Sequence, residues 1–133
     1  MPKIEQIVAP DIAENPGRWS NCLRVGDTIY LAGLTARAND RTTMLGVGSA
    51  YEQARIILTK IKTLLEAAGA RMSDVVTMTI HVTNIADNKD IWRARQEFFD
   101  GVFPCSTLVQ VAALATKETL VEITAQARTD ITR

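Results

Sequence analysis

From Ser49 onward, apolar residues stand at Ala50, Ala54, Ile57, Leu58, Ile61, Leu64, Leu65 and Ala68. No other stretch constrains the fold as strongly, because intervals of three and four place all eight on one side of an α-helix, and that side needs an apolar cover. Ser49 and Glu52 stand at capping-box spacing at the start. Gly69, able to take a left-handed backbone, stands where the stripe stops. The spacing predicts an amphipathic helix of about five turns.

Alternating runs elsewhere in the chain supply the cover. Cys22 to Val25 and Thr28 to Ala32 are rich in β-formers and flank Gly26-Asp27, a pair suited to a tight hairpin turn. Leu34 to Gly48 has no clear period and reads as a loop or ragged strand. Val76, Met78, Ile80 and Val82 alternate with Thr77, Thr79 and His81, which predicts a strand with one apolar and one polar face. Asp87 is placed to cap a second helix whose buried stripe is Ile91, Ala94, Phe98 and Phe99, running up to Gly101. Pro104 prevents continuation. Two further strands are predicted at Thr107 to Ala113 and Thr119 to Arg128, with Val121, Ile123, Ala125 and Ala127 on one face of the second. Together these elements predict an α+β fold: a single, mostly antiparallel sheet with both helices packed on one face. The opposite face would mix Thr77, Thr79, His81, Gln110 and Glu122 with Leu108 and Leu120. That is too apolar for a wet surface and too polar for a sealed core, so it is expected to pack against other subunits.

Length and charge narrow the function. The 133 residues suit one domain spanning 1–133, and 47% apolar with 23% charged residues is ordinary globular usage. Fifteen basic residues balance fifteen acidic ones, leaving no global field to draw nucleic acid or an anionic membrane. The opening MPKIEQIVAP lacks the apolar core of a signal peptide, and no segment is long enough to span a bilayer. Cys22 and Cys105 lie far apart and outside any C-x-x-C, as reduced thiols of a cytoplasmic protein would.

No phosphate-binding loop, dinucleotide fingerprint, zinc-protease helix or nucleophile elbow is present. His81 is the only histidine, which argues against a metal site or a serine triad and for a structural or surface role. Cys105, after Pro104 at the entry to a strand, is either a small buried hydrophobe or a thiol made reactive by an open, electropositive setting. Glu122 falls mid-strand on the mixed face. There a carboxylate either holds an interface by hydrogen bonds or, partly buried, acts on a bound water. Trp92 lies off its helix's apolar stripe beside Arg93 and Arg95, and Trp19 precedes the hairpin; each marks a contact or covers the edge of the core.

Several of these pieces, in this order, resemble the reactive intermediate deaminase (RidA/YjgF) family. They are Gly17-Arg18-Trp19-Ser20, the run Val25 to Gly33, the helix end Ala67-Ala68-Gly69, Ser73-Asp74-Val75-Val76, Phe103-Pro104 followed by Val109 to Leu114, and Val121-Glu122-Ile123. The resemblance implies a fold similar to the Bacillus chorismate mutase type, assembled as a homotrimer with a small-molecule cleft between subunits. No cofactor is expected, because an imine carbon is already electrophilic, and the balanced charge and lone histidine leave no metal, nucleic acid or membrane as an expected partner. The resemblance places Trp19, Gly33, Leu34, Trp92, Cys105 and Ser106 at the cleft and gives Glu122 the role of positioning water. The family's carboxylate-binding arginine falls at Ser106, its usual tyrosine at Trp19, and a common asparagine at Trp92. Three changes in one cleft imply a respecialised pocket for a flatter or less acidic ligand, unless Arg18, Arg37 or Arg93 restores the charge.

The departure at Ser106 keeps more than one function open. The resemblance implies hydrolytic deamination of an imine or enamine other than the usual short 2-imino acids, an aminomuconate-like intermediate being one such substrate. The alternative is a trimer that binds a small molecule or a protein without turnover. For the family's older label of translation inhibitor or endoribonuclease, the sequence offers neither a basic groove nor a histidine pair.

Overall fold

Ser49 opens the first helix as its spacing predicts: its Oγ accepts a hydrogen bond from the Glu52 backbone N–H at 3.1 Å. The computed structural model, which describes residues 1–132, places this helix, α1, at Ala50–Ala67. It closes in a Schellman arrangement. Gly69, at φ 81°, donates to the Glu66 carbonyl at 3.1 Å, and Ala70 donates to that of Leu65 at 2.8 Å. Ile57, Leu58, Ile61, Leu64 and Leu65 are wholly buried, so the stripe is covered along its length.

The cover is one six-stranded sheet: β1 (Ile4–Gln6), β2 (Cys22–Val25), β3 (Thr28–Leu34), β4 (Val75–Val82), β5 (Cys105–Gln110) and β6 (Val121–Arg128). The strands lie in the order β1-β2-β3-β6-β4-β5, antiparallel except for the parallel pair β4 and β5. A second helix, α2 (Asn88–Gln96), packs beside α1 and buries Ile91 and Ala94. Arg93 of α2 stacks over the Tyr51 ring of α1 at 3.8 Å, while Tyr51 and Arg55 both reach Glu97. β6 lies inside the sheet, with both edges paired, so a side chain on it is held by a rigid support. Gln53, fully buried on α1, fixes the approach to β6. Its amide donates to the Glu118 carbonyl at 2.8 Å and accepts from the Leu120 N–H at 2.9 Å.

Several boundaries differ from expectation for local reasons. β1 was not foreseen, because its three residues are all exposed and carry no burial pattern. A register shift between Val75 and Thr77 turns Val75, rather than Val76, into the core. β5 stops at Gln110 rather than Ala113, because its one neighbour, β4, stops at Val82, the residue Gln110 pairs with. β6 starts at Val121 rather than Thr119. α2 ends at Gln96, short of Gly101, so Phe99 is buried from beyond the helix end. Asp87 holds the N-cap position without a side-chain cap, and the side chain of Asn84 caps the preceding short turn by accepting from the Ala86 N–H at 3.0 Å.

The second face is also recomposed. Because β5 runs parallel to β4, Leu108 and Gln110 pair with the core residues Ile80 and Val82 and so lie on the helix side. The opposite face instead carries Thr107 and Val109, with Thr79, His81, Glu122 and the exposed Tyr30. Among the described residues, no helix is long and apolar enough to cross a membrane.

Candidate functional site

Glu122 leans over the backbone of β3. A Cβ added to Gly33 would lie 2.8 Å from Glu122 Oε2 and 2.9 Å from its Cδ. Only glycine admits the carboxylate at this spot. The register of β3 against β6 shifts between Leu31 and Leu34, and that irregularity brings Gly33 beneath the glutamate. None of the hydrogen bonds or ion pairs among the described residues takes up the carboxylate. His81 stands directly across from Glu122 on β4, and its Nδ1 is buried without a partner.

A cleft of about 110 Å³ opens here, with Trp19, Gly33, Leu34 and Glu122 in its wall. Buried amides also line it. Asn15 donates to Asn21 Oδ1 at 3.1 Å, Asn21 donates to the Ala13 carbonyl at 2.9 Å, and Arg37 donates to Asn15 Oδ1 at 2.8 Å. Lys60 of α1 reaches the rim and donates to the carbonyls of Thr35 and Arg37 at 2.8 and 2.6 Å. Burial, reinforced by the charge of Arg37, pushes the Lys60 ammonium down to about 8. With Arg41 also in the wall, three cations face one carboxylate. The cleft is thus more basic than the loss of arginine at Ser106 alone suggested.

Trp92 and Ser106 lie elsewhere. Trp92 lines a separate hollow with Arg95, Gln96 and Phe103, at the outer side of α2. Ser106 pairs with the core residue Met78 and so faces the helices, where its Oγ accepts from Arg95 Nη1 at 3.0 Å. Cys105 is exposed on the opposite face. Of Arg18, Arg37 and Arg93, Arg37 is in the Glu122 cleft. Arg93 is engaged by Tyr51 and, at 3.8 Å, by Asp90, and Arg18 is exposed outside both hollows. Two strand spacings across and three residues along separate Ser106 from Glu122, roughly 14 Å. One small ligand does not bridge that gap within a chain. At about 110 Å³ the Glu122 cleft is also smaller than the roughly 300–1,000 Å³ of small-molecule sites. No cluster of three or more metal-ligating side chains occurs among the described residues.

Known proteins share both sequence and fold with this chain. The family described as Endoribonuclease L-PSP matches residues 10–129. A protein of Dermatophagoides farinae named 2-iminobutanoate/2-iminopropanoate deaminase is 37% identical over 120 residues, covering 90% of this chain and 92% of that protein. A crystal structure of a protein of unknown function from Pseudomonas aeruginosa is 43% identical and superposes with a TM-score of 0.87, over 98% of this chain and 96% of the other. The structure of RidA from an Antarctic Psychrobacter is 26% identical, with a TM-score of 0.84 over 93% and 98% of the two chains.

Proposed function

The chain belongs to the Endoribonuclease L-PSP family, also called RidA/YjgF, and from that premise we propose that it is a hydrolytic deaminase of an imine or enamine metabolite other than the usual short 2-imino acids. Its ligand binds in a cleft between copies of the chain in a cytoplasmic homotrimer. The observation that carries the proposal is the Glu122 carboxylate, held over Gly33 on an interior strand and left without a partner. Such a group accepts a hydrogen bond from water and aims its oxygen at a neighbouring carbon. An imine carbon is already electrophilic, so water adds to C=N, the proton passes to nitrogen, and collapse of the tetrahedral adduct releases ammonia and leaves a carbonyl. Charge and atoms balance with water as the only co-reactant.

Distance and surface composition support the inter-subunit cleft. Glu122 and Trp19 line one hollow, and Trp92 and Arg95, the partner of Ser106, line another, too far apart on one chain for one small ligand, and a second copy would supply the missing half. The half-polar sheet face, with Tyr30 and Val109 exposed beside Thr79 and His81, suits burial in such an assembly. Binding without turnover is the second reading, favoured by the serine at 106. The two are separated by generating imines in situ from a panel of amino acids with an amino-acid oxidase. Ammonia release above the buffer rate, lost in Glu122→Gln with the oligomer intact, supports the deaminase. Saturable binding of the matching 2-oxo acids with no ammonia release overturns it in favour of the binder.

A further inference from the structure

We propose that Arg95 is the carboxylate-binding residue of this protein, reaching from α2 into the hollow lined by Trp92, Gln96 and Phe103, and that the ligand taken there carries a free carboxylate. In assigning that carboxylate to the deaminated substrate, the proposal rests on the function proposed above.

Among the described residues, Arg95 is the arginine that has both no carboxylate within 4.0 Å and a buried side-chain nitrogen without a hydrogen-bond partner. Arg55, Arg71, Arg93 and Arg128 each lie within 4.0 Å of a carboxylate, and Arg24 and Arg37 donate to carbonyl or amide oxygens. Arg95 has one neutral contact, Nη1 to Ser106 Oγ at 3.0 Å, and its Nε is buried without any acceptor. A guanidinium that lines an open hollow with no carboxylate partner suits an anion supplied from outside the chain. A guanidinium presents pairs of parallel N–H groups that fit the two oxygens of a carboxylate. Trp92 and Phe103, 50% and 44% exposed, flank the group and lower the local dielectric, strengthening an ion pair formed there. Partial burial already disfavours the charged form, a cost that an arriving anion offsets.

Ser106 has a definite part in this arrangement. It faces the helices from β5, its hydroxyl is small enough to leave the guanidinium its space, and it accepts one N–H so that the fork is held in one orientation. An arginine at 106 would place a second cation against Arg95. The serine and Arg95 therefore act as a pair, with the charge delivered from the helix rather than from the strand. Two sources of a carboxylate exist, a free small acid or an acidic side chain of a second copy, and the geometry of an open hollow beside two aromatic rings favours the free acid.

The test measures binding of phenylpyruvate and 4-methyl-2-oxopentanoate, and of their uncharged methyl esters, to the intact oligomer, using tryptophan fluorescence, because Trp92 shares the hollow. The wild type is expected to hold at least one acid ten or more times tighter than its ester. Arg95→Gln should abolish that preference without changing the thermal midpoint, Arg95→Lys should keep part of it, and adding Ser106→Arg to Arg95→Gln should restore it. An acid preference unchanged in Arg95→Gln, or no acid preference in the wild type, overturns the proposal. So does dissociation of the Arg95→Gln oligomer with the preference retained, which would identify a carboxylate of the neighbouring copy as the partner. Ammonia release that persists in Arg95→Gln removes this proposal and leaves the deaminase standing. Arg95-dependent acid binding without ammonia release from any imine removes the deaminase and leaves this proposal standing.

Discussion

Replacing Gly33 by alanine isolates the placement of Glu122 from everything else in the fold. The backbone at Gly33 is outside the left-handed region, so alanine adopts it without strain. The added methyl meets the outer part of the Glu122 side chain, at 2.8 Å from Oε2, 2.9 Å from Cδ and 3.2 Å from Cγ, where ordinary contact begins at 3.4 Å. The carboxylate must therefore move by at least about 0.6 Å, and in practice it rotates to another well, a displacement of an ångström or more. Stability should change little: loss of unfolded-state freedom on a Gly→Ala change is worth about 0.4–1 kcal/mol, against a small cost for the displaced side chain. Turnover should fall steeply, because displacing a positioned group by about 1 Å costs on the order of 100-fold. The assay is ammonia release from the most reactive imine, alongside the urea midpoint of the same preparation. Full activity in Gly33→Ala at unchanged stability would refute the link between Glu122's perch and catalysis. Collapse of stability would show that Gly33 serves the sheet instead.

Three further outcomes follow from the packing. Burial, aided by the charge of Glu14, raises the Cys22 thiol to about 11 from 9.0, so it stays protonated in the folded state after the unfolded chain has ionised. Its stabilising contribution is complete below about pH 9 and lost as pH rises to about 11. The stability gap between wild type and Cys22→Ala in urea titrations should therefore narrow by up to roughly 2 to 3 kcal/mol over that window, and a constant gap would contradict the burial argument. Gln53→Leu strands the Glu118 carbonyl and the Leu120 N–H and should cost about 2–5 kcal/mol, read as a lowered urea midpoint. Ser49→Ala removes the acceptor for the Glu52 N–H and should cost about 1 kcal/mol with ammonia release unaffected.

The sequence disclosed those parts of the molecule in which one periodic signal meets one physical demand. The stripe from Ala50 to Ala68 needed a cover, its caps marked both ends, and the hairpin at Gly26-Asp27 forms with Val25 opposite Thr28. What it concealed depends on partners remote in sequence. The side on which Leu108 and Gln110 fall is set by pairing with β4, and Val75 enters the core through a bulge that strict alternation does not anticipate. The candidate site divides the same way. Trp19, Gly33, Leu34 and Glu122, from separate segments, converge on one cleft, whereas Trp92 lines a second, Ser106 contacts that hollow's Arg95, and Cys105 faces away from Ser106. Arg95 carries no signal in the sequence, where it stands as an ordinary charged neighbour of Trp92. Only the contact with Ser106, eleven residues on and across a turn, gives it significance. Asn15, Asn21 and Lys60 were likewise invisible, since their roles are hydrogen bonds to loops that have no periodic signature.

The central claim is that one catalytic site is completed by two copies of the chain, and subunit mixing tests it most directly. Glu122→Gln removes the water-directing group from one half-site and Arg95→Gln removes the carboxylate clamp from the other, so each variant alone should release no ammonia beyond the buffer rate. Unfolded together in equal amounts and refolded, they should regain activity in about a quarter of the sites, those that join an intact Glu122 from one copy to an intact Arg95 from the next. Recovery near that level is the predicted result; a mixture as inactive as its parents would contradict the account.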